Sequence, residues 1–592
     1  MKFPKMNLQE EKPTSHILAI LCVLCMSAVN SLAVDREAFT FTNYDLHVQI
    51  EPEQHRLGVR GKVTLRNDSS TAQKIAVLQI SSSLDWRSIS VTGQAGDKTV
   101  QFVLQPYMSD IDHTGALSEA IVTLPQPVAP KGTIDLDIGY EGVILLDATR
   151  LTRIGTPQDA AETTDWDRIG TSFTALRSAG YVAWYPIATE AANLSEGDSL
   201  FEVLGRWKAR EVDARMHVTI ELTGIARNGS PEILFNGQKC SEADDREGMT
   251  ERTVAECPDV SSRFNQPSLV IANYVALARP GNEVYCFKGE EAAAANYADE
   301  LEKLIPFISD WFGAPREKAK TADLPDPNAE PFESGALLLT PLAATDSKLA
   351  GLVAAHQLTH AAFVSFRPWI NEGLAHFAQA LYLEQQKGHQ AALDYMGLHR
   401  SAFSEAEKPT TLPRSEDEVN HSLVNTTSEE LYRSKAMYVW WMLRDMVGDA
   451  ALKKALAAYR TNEDKDPSYM QRLIAAHTQH DLEWFFDDWV YRDRGLPDFK
   501  VESAFPRKTV TGSFMVTITV SNSGAAGAEV PLTVKFAGGD VTKRLEVRGK
   551  SKATIRVEVP GTPQEIVVND GSVPESDTTN NTFKIAQPDA AK

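Results

Sequence analysis

Cysteine is scarce in this sequence, with five residues in a chain of 592. Cys22 and Cys25 fall in the first 33 residues, which leaves Cys240, Cys257 and Cys286 for the rest of the chain. In an exported protein, Cys240 and Cys257 are expected to close a loop by a disulfide bond, with Cys286 left as the odd one. The alternative is three unpaired, buried thiols.

Positive charge is also in short supply, because 59 Lys and Arg residues face 80 Asp and Glu residues, for a formal net charge of −21. A nucleic-acid partner is therefore not expected, since binding to phosphates depends on Lys and Arg. An acidic surface is most often simply a solvated one. It gives only a weak indication that cationic peptides or metal ions are bound.

Long apolar runs are absent after residue 33, so no segment of the mature chain is expected to span a membrane. The first 33 residues combine the basic, apolar and small-residue regions of a signal peptide: Lys2, Lys5 and Lys12, residues 17–29, and Ser31-Leu32-Ala33. We therefore expect cleavage after residue 33 and export to the periplasm or the exterior. An uncleaved N-terminal anchor is the alternative, and the sequence predicts no oligomeric state.

The hydrophobic pattern changes along the chain and predicts a multidomain protein, as the length also suggests. Strand-like alternation before residue 281 predicts an N-terminal β domain over 34–281. A helical period then predicts a mainly α-helical domain over 282–499. Alternation returns and predicts an immunoglobulin-like β-sandwich with a polar tail over 500–592. The polar, unpatterned stretch 147–172 is predicted to be an exposed loop.

The segment "GLVAAHQLTHAAFVSFRPWINEGLAHF", residues 351–377, contains two histidines four residues apart. On a helix with Thr345 or Asp346 as its cap, His356 and His360 lie on one face. Two imidazoles at this spacing can bind one tetrahedral Zn²⁺ ion. By itself, such a pair is also typical of packed core histidines.

A third candidate ligand follows on the next helix. Arg367-Pro368 is expected to break the first helix, and residues 369–383 are predicted to form a second one that carries Glu372 toward the two histidines. Three protein ligands leave the fourth position of zinc open to water, which is typical of a catalytic site. The sequence therefore predicts one zinc ion per chain.

These residues resemble the gluzincin metallopeptidases and, within them, the aminopeptidase N family, also called membrane alanyl aminopeptidases. "HQLTH" and "WINEGLA" stand where that family has two histidines with an intervening glutamate and its "WLNEGFA" segment. The resemblance covers most of the chain. It implies a saddle-like N-terminal β domain, a thermolysin-like catalytic domain, and peptides with free N-termini as substrates.

The resemblance also implies roles for residues outside the histidine segment. Tyr432 in "LYRSKAM" matches the tyrosine that stabilises the oxyanion, and Glu333 in "PFESGALLL" matches the glutamate that binds the substrate's free amine. An ordinary strand-edge carboxylate is the alternative for Glu333. His376, one turn after Glu372, is a candidate for a further ligand or proton carrier, with a packed or exposed helix histidine as the alternative.

The chain departs from the family in two places. The interval between His360 and Glu372 is shorter than usual, and Gln357 occupies the position of the general base. An amide cannot take a proton from the attacking water, and general acid–base catalysis is typically worth about 10²- to 10⁴-fold. Zinc ligation need not suffer, because a glutamine keeps the shape of the glutamate.

Three functional hypotheses follow from this substitution. The chain is a weak or specialised zinc metallopeptidase, in which Glu333 or a carboxylate of the substrate serves as base. Alternatively, it is a zinc-dependent peptide-binding pseudoenzyme. A third hypothesis, of a different class, is a non-enzymatic surface or adhesion protein that works through its β-sandwich and keeps the histidine helix as core.

Overall fold

A computed structural model describes residues 34–585, apart from 92–97, 197–198, 224–230, 244–251, 345–348, 407–421, 425, 427, 429 and 493. The predicted signal peptide and the predicted cap residues Thr345 and Asp346 lie outside the described residues. None of the helices in the described part of the chain combines the length and apolar character that crossing a membrane requires.

The N-terminal part is rich in β-structure, as the alternating pattern predicted. Its strands are β1 Phe39–Glu51, β2 Arg56–Asn67, β3 Gln73–Ser81, β4 Leu84–Val91, β5 Lys98–Thr99, β6 Gln101–Met108, β7 Ala116–Val128, β8 Thr133–Val143, β9 Phe173–Leu176, β10 Arg215–Thr223, β11 Glu232–Phe235, β12 Gln238–Lys239, β13 Ser241–Ala243, β14 Arg252–Glu256, β15 Val260–Ser261 and β16 Leu269–Ala272.

The largest sheet of this part has the strand order β13-β14-β10-β1-β2-β8-β4-β5, with β15 also paired to β10. Smaller sheets have the orders β3-β7-β6 and β12-β11-β16-β9. Strand β1 shows why the sequence folds this way, because Tyr44, Leu46, Val48 and Ile50 alternate with polar residues and are all buried. The predicted bridge between Cys240 and Cys257 is present, and Cys286 is a free, buried thiol.

The helical part begins with a sheet that has the order β17-β18-β19-β21-β20. Its strands are β17 Tyr274–Ala278, β18 Asn282–Phe287, β19 Ala319–Asp323, β20 Phe332–Ser334 and β21 Leu337–Thr340. Because β17 pairs with β18, this sheet runs across the predicted boundary at residue 281. Gly335, with φ of 59°, makes the tight turn from β20 to β21.

The helices of the chain are α1 Thr149–Arg153, α2 Gln158–Thr164, α3 Ser199–Arg210, α4 Glu291–Phe312, α5 Ala350–Ala362, α6 Pro368–Lys387, α7 His389–Ala406, α8 Ala436–Val447, α9 Asp449–Ala458, α10 Tyr469–Ala475 and α11 Glu483–Phe486. Short 3₁₀ turns cover Pro52–Gln54, Leu342–Ala344 and Thr461–Glu463, and π-helical turns cover Glu430–Lys435 and Asp487–Tyr491.

Helices α5 and α6 are the two that the histidine segment predicted. Pro368 is the first residue of α6, where its missing N–H costs nothing, and Arg367 before it is extended. The break therefore comes where the sequence placed it. Helix α6 extends about one turn beyond the predicted end at residue 383.

The C-terminal part forms two facing sheets, β22-β23-β26 and β25-β24-β27-β28. Its strands are β22 Phe499–Lys508, β23 Phe514–Asn522, β24 Ala528–Phe536, β25 Gly539–Val547, β26 Ser551–Val559, β27 Pro563–Val568 and β28 Thr582–Lys584. The predicted sandwich-like arrangement is present. It joins the helical part through Trp489, whose Nε1 donates to the carbonyl of Gly527 at 2.7 Å.

The exposed loop predicted over 147–172 is wrong for part of the stretch: residues 153–155 and 157–160 are exposed, but α1, α2 and residues of two buried ion pairs also lie in it. Arg150 Nε lies 2.8 Å from Asp165 Oδ2, and Arg177, beyond the stretch, pairs with Asp167 at 2.7 Å. All four side chains are buried. The polar residues that suggested a loop neutralise one another in the interior, which a hydrophobicity pattern does not register.

Glu211, directly after α3, is a buried carboxyl group with no cationic partner at ion-pair distance within the described residues. Burial raises its pKa to about 8. The Tyr44 hydroxyl lies 3.0 Å from both Glu211 Oε2 and the carbonyl of Pro186, and it has one hydrogen for two acceptors. A protonated Glu211 resolves this conflict, because it donates to the tyrosine oxygen while the tyrosine donates to Pro186.

This raised pKa predicts that stability falls with rising pH. The folded chain holds the Glu211 proton up to a pH of about 8, whereas the unfolded chain loses it near the ordinary value of 4.5. The favourable contribution is therefore complete below pH ~4.5 and is lost by pH ~8, on the order of 5 kcal/mol in total. Urea unfolding across this range should show the loss of unfolding free energy in the native chain and not in Glu211→Gln.

Glu202→Gln is the control, because it changes an exposed carboxylate on α3, and it should keep the pH dependence of the native chain. If the unfolding free energy of Glu211→Gln fell with pH as steeply as that of the native chain, the assignment to Glu211 would be contradicted.

Candidate metal centre

Helices α5 and α6 bring the three predicted ligands together. His356 Nε2 lies 3.2 Å from His360 Nε2. Glu372 on α6 places Oε1 at 3.3 Å from His360 Nε2 and Oε2 at 3.8 Å from His356 Nε2. The four-residue spacing on α5 and the short turn to α6 therefore aim two imidazoles and one carboxylate at a single point.

These separations fit a tetrahedral zinc ion. Zinc binds histidine nitrogen and carboxylate oxygen at about 2.0–2.2 Å, so two ligand atoms of a tetrahedron are about 3.3–3.5 Å apart. The separation of 3.2 Å between the two Nε2 atoms and that of 3.3 Å between His360 Nε2 and Glu372 Oε1 lie close to that range. The separation of 3.8 Å from His356 Nε2 is to the other carboxylate oxygen, Oε2. Two nitrogens and one oxygen are also a donor set that zinc accepts.

The protonation states of two of the ligands suit metal binding. Burial lowers the pKa of His356 well below its usual value, and the neighbouring His360 and Arg433 add to this effect. Its imidazole is therefore neutral, as coordination requires. Burial alone would raise the pKa of Glu372, but His360 and Arg433 outweigh it and keep the pKa lowered, so the carboxylate is charged.

Asn371 contacts the ring nitrogen of His360 that faces away from Glu372. Its Nδ2 lies 2.9 Å from His360 Nδ1, and its Oδ1 accepts a hydrogen bond from the backbone N–H of Ser365 at 3.1 Å. Ser365 belongs to the turn between α5 and α6. The turn thus positions the ring through one side chain. The amide nitrogen of Asn371 is a donor, so Nδ1 accepts here, whereas a metal-ligating histidine donates from its second ring nitrogen to its outer-shell partner.

Glu333 lies closer to the histidines than a separate strand-edge carboxylate would. One of its carboxylate oxygens and one nitrogen of each of His356 and His360 all lie within 4.8 Å of one another. Burial raises its pKa, and a hydrogen bond from Gln357 opposes that rise. The centre therefore contains two carboxylates. Glu372 is the one at ion-pair distance from His360, with Oε1 at 3.3 Å from Nε2.

Gln357 is held by the fold at both ends of its amide. Its Oε1 accepts a hydrogen bond from the hydroxyl of Tyr297 on α4, and its Nε2 donates to the carbonyl of Leu339 on β21 at 3.3 Å. The side chain is 1% exposed. A glutamate here would keep the first contact but would place an oxygen, not an N–H, against the Leu339 carbonyl.

Tyr432 and Arg433 lie on the π-helical turn Glu430–Lys435, a form of helix that is often found at functional sites. Tyr432 lines the same cavity as the ligands, and the ring of Phe201 on α3 packs edge-on against it at 5.5 Å. Arg433 Nε lies 3.4 Å from Glu372 Oε2. Sequence reasoning selected Tyr432 but missed Arg433, whose only signal was its position next to that tyrosine.

His376 packs against the centre. Its ring centroid is 5.0 Å from that of His356 and 5.4 Å from that of His399. His399 Nδ1 in turn lies 3.1 Å from the hydroxyl of Ser434. Burial lowers the pKa of His376 well below its usual value. These contacts describe a packed, neutral histidine, and a role as ligand or proton carrier stays a prediction.

A cavity of about 530 Å³ opens over the centre. Helices α3, α5 and α6 and strand β20 all contribute residues to its lining. His356, Gln357, Glu372, Glu333 and Tyr432 all line it. The volume is within the range of small-molecule and peptide sites, so a ligand in this cavity would contact every one of these groups.

At the level of overall fold, the β-rich N-terminal part, the helical part and the C-terminal sandwich-like sheets have the architecture of M1 zinc metallopeptidases. Among solved structures, the chain is similar to the crystal structure of a mutant M1 zinc metallopeptidase from Deinococcus radiodurans, with a TM-score of 0.50 and 17% sequence identity. The match covers 78% of this chain and 96% of that one. At such an identity the likeness concerns the fold alone. No family model matches the sequence, and no curated protein matches it.

Proposed function

We propose that this protein is a zinc metallopeptidase homologue that takes peptides with free N-termini and hydrolyses them weakly. The observation that carries the proposal is the convergence of His356, His360 and Glu372, whose nearest side-chain nitrogens and oxygens lie 3.2–3.8 Å apart. His356 and Glu372 also line the cavity. The proposal includes export of the chain and its division into domains over 34–281, 282–499 and 500–592, with the first two joined by the pairing of β17 with β18.

In this proposal, His356, His360 and Glu372 hold the zinc ion. When bound, zinc acts as a Lewis acid on the scissile carbonyl and lowers the pKa of water. The hydroxyl of Tyr432 stabilises negative charge on the carbonyl oxygen. Glu333 accepts hydrogen bonds from the substrate ammonium.

Gln357 limits the reaction in this scheme. Its amide hydrogen-bonds with neighbours but accepts no proton at neutral pH, so it cannot relay a proton from water to the leaving amine. Hydrolysis then depends on binding, orientation and charge stabilisation alone. This is the physical reason for proposing weak activity.

The contacts of Gln357 favour a second candidate function, peptide binding without turnover. An amide that satisfies Tyr297 and Leu339 at once is built into the packing of α4, α5 and β21. Such a residue is a stable structural feature of the site. A zinc-dependent pseudoenzyme would present the same cavity and the same ligand preference but release the peptide intact.

The role of Glu333 can be tested by binding alone. We expect the native, zinc-loaded chain to bind tri-alanine with a free N-terminus about 10-fold or more tighter than its N-acetylated form, as charge-assisted hydrogen bonds imply. Glu333→Gln should remove this preference. Glu330→Gln, which changes another carboxylate lining the cavity, should keep it. Calorimetry or fluorescence competition measures both affinities, and zinc content is checked in each variant.

Equal affinity of the native chain for the free and acetylated peptides would contradict the exopeptidase-like assignment. So would a preference that survives Glu333→Gln. Neither result would affect the assignment of the zinc ligands, because the measurement compares two peptides on the same loaded protein.

A further inference from the structure

Among the described residues, four Lys and Arg side chains line the cavity, and carboxylates of the protein neutralise three of them. Arg150 and Arg177 pair with buried aspartates at 2.8 and 2.7 Å, and Arg433 pairs with Glu372 at 3.4 Å. The fourth is Lys208 on α3. Within the described residues, no carboxylate lies at ion-pair distance from it.

The one hydrogen bond of Lys208 in the described chain goes to a neutral acceptor, Gln266 Oε1, at 3.3 Å. Two of the three ammonium hydrogens are therefore left to a ligand or to water. The side chain is half-buried, and burial lowers its pKa to about 8. A cation that is partly removed from water without a counter-ion costs free energy, and such groups concentrate at functional sites.

Helix α3 connects this ammonium with the candidate metal centre. Phe201, Gly205 and Lys208 lie at positions i, i+4 and i+7, so they share the face that lines the cavity. Phe201 packs on the ring of Tyr432. At 1.5 Å per residue, Lys208 is about 10 Å further along the helix, which equals about three residues of extended peptide.

The acceptor of Lys208 is also tied to the strand that carries Glu333. The backbone N–H of Gln266 donates to Ser334 Oγ at 2.8 Å, and Ser334 follows Glu333 on β20. One end of the cavity thus offers a carboxylate for a ligand ammonium, and the same cavity offers an unpaired ammonium for a ligand carboxylate. This charge arrangement matches a short peptide in its zwitterionic form.

We propose that the ammonium of Lys208 is a carboxylate-binding subsite of the cavity, so that the preferred ligands are short peptides that bear a carboxylate within reach of it. This inference rests on the proposed function, because it describes how the same cavity selects among peptides. The carboxylate comes from the C-terminus of a short peptide or from an acidic side chain, and both have the chemistry that Lys208 recognises.

The test measures affinities of the zinc-loaded chain for two matched pairs of peptides. Tri-alanine as the free acid is compared with tri-alanine amide, and Glu-Ala-Ala amide is compared with Gln-Ala-Ala amide. We expect the native chain to prefer the carboxylate-bearing member of one pair by about 10-fold or more. The first pair identifies the C-terminal carboxylate as the source, and the second pair identifies the side chain.

Three variants assign the preference to Lys208. Lys208→Gln should abolish it while leaving the affinity for tri-alanine amide unchanged, and that unchanged affinity shows that the cavity is still folded. Lys208→Arg keeps the charge and should keep the preference. Arg206→Gln, an equal loss of charge on the same helix at a position that does not line the cavity, should keep it too.

Three results would overturn the subsite: equal affinities within both pairs, a preference that survives Lys208→Gln, or a preference lost in Arg206→Gln. Failure of the native chain to bind any of the four peptides would contradict the proposed function itself. Binding of all four without a carboxylate preference would remove the role of Lys208 alone.

Discussion

Gln357→Glu is expected to raise the turnover of aminoacyl amides by about 10²-fold or more at pH 7, because it restores a proton acceptor beside an intact set of candidate ligands. A positioned general base is typically worth about 10²- to 10⁴-fold. The substituted residue is on the same helix as His356 and His360, and it lines the same cavity. The native chain and the variant therefore have the same three candidate zinc ligands.

The structure explains why the lower end of this range is expected. The carbonyl of Leu339, which now accepts from the Gln357 amide at 3.3 Å, would face a carboxylate oxygen in the variant. This repulsion favours the protonated form of the new side chain and reduces the fraction that acts as base. The hydroxyl of Tyr297 still donates to it, which limits the effect.

Gln357→Met is the matched control, since it is close in volume, lacks the amide and supplies no base. Steady-state hydrolysis of a panel of aminoacyl amides should show the gain in the Glu variant and no gain in the Met variant. A native chain that already equals its Glu variant would show that another group is the base. Zinc-loaded native and Glu chains that both fail to cleave would favour peptide binding without turnover.

The sequence predicts the overall architecture well, because the pattern that determines it is local. Alternation along β1 and β23 places their apolar residues on one face, and both strands form as expected. Pro368 marks the start of α6 for an equally local reason. Where burial is achieved by pairing charges, as in 147–172, the same pattern is misleading, since it contains no information on partners.

The candidate site likewise has some features that the local sequence predicts and others that it does not. His356 and His360 are recognisable from their spacing on one helix, and Glu372 from the break that follows. The restraint on Gln357 depends on Tyr297, 60 residues earlier in the chain, and on a strand carbonyl. The lack of an ion-pair partner for Lys208 among the described residues depends on segments that are distant in the sequence. Contacts between distant segments decide both features, and no local pattern reports them.

Zinc content tests whether His356, His360 and Glu372 hold one zinc ion, on which the proposed function depends. We expect the purified native chain to bind one zinc ion per chain. Inductively coupled plasma mass spectrometry measures the zinc content, and competition with a chromophoric chelator measures the affinity. His356→Ala removes one of three protein ligands. Because loss of an outer-shell partner alone costs about 10- to 100-fold in metal affinity, this change should cost about 100-fold or more.

His389→Ala is the matched control, because His389 is an exposed histidine at the start of α7 that pairs with Glu384 at 2.9 Å. It should retain one zinc ion per chain at native affinity. The native chain and the control should each bind one zinc ion per chain, and His356→Ala should lose it. A native chain that binds no zinc, or a His356→Ala chain that binds it as tightly as the native one, would show that these three residues are not a zinc site.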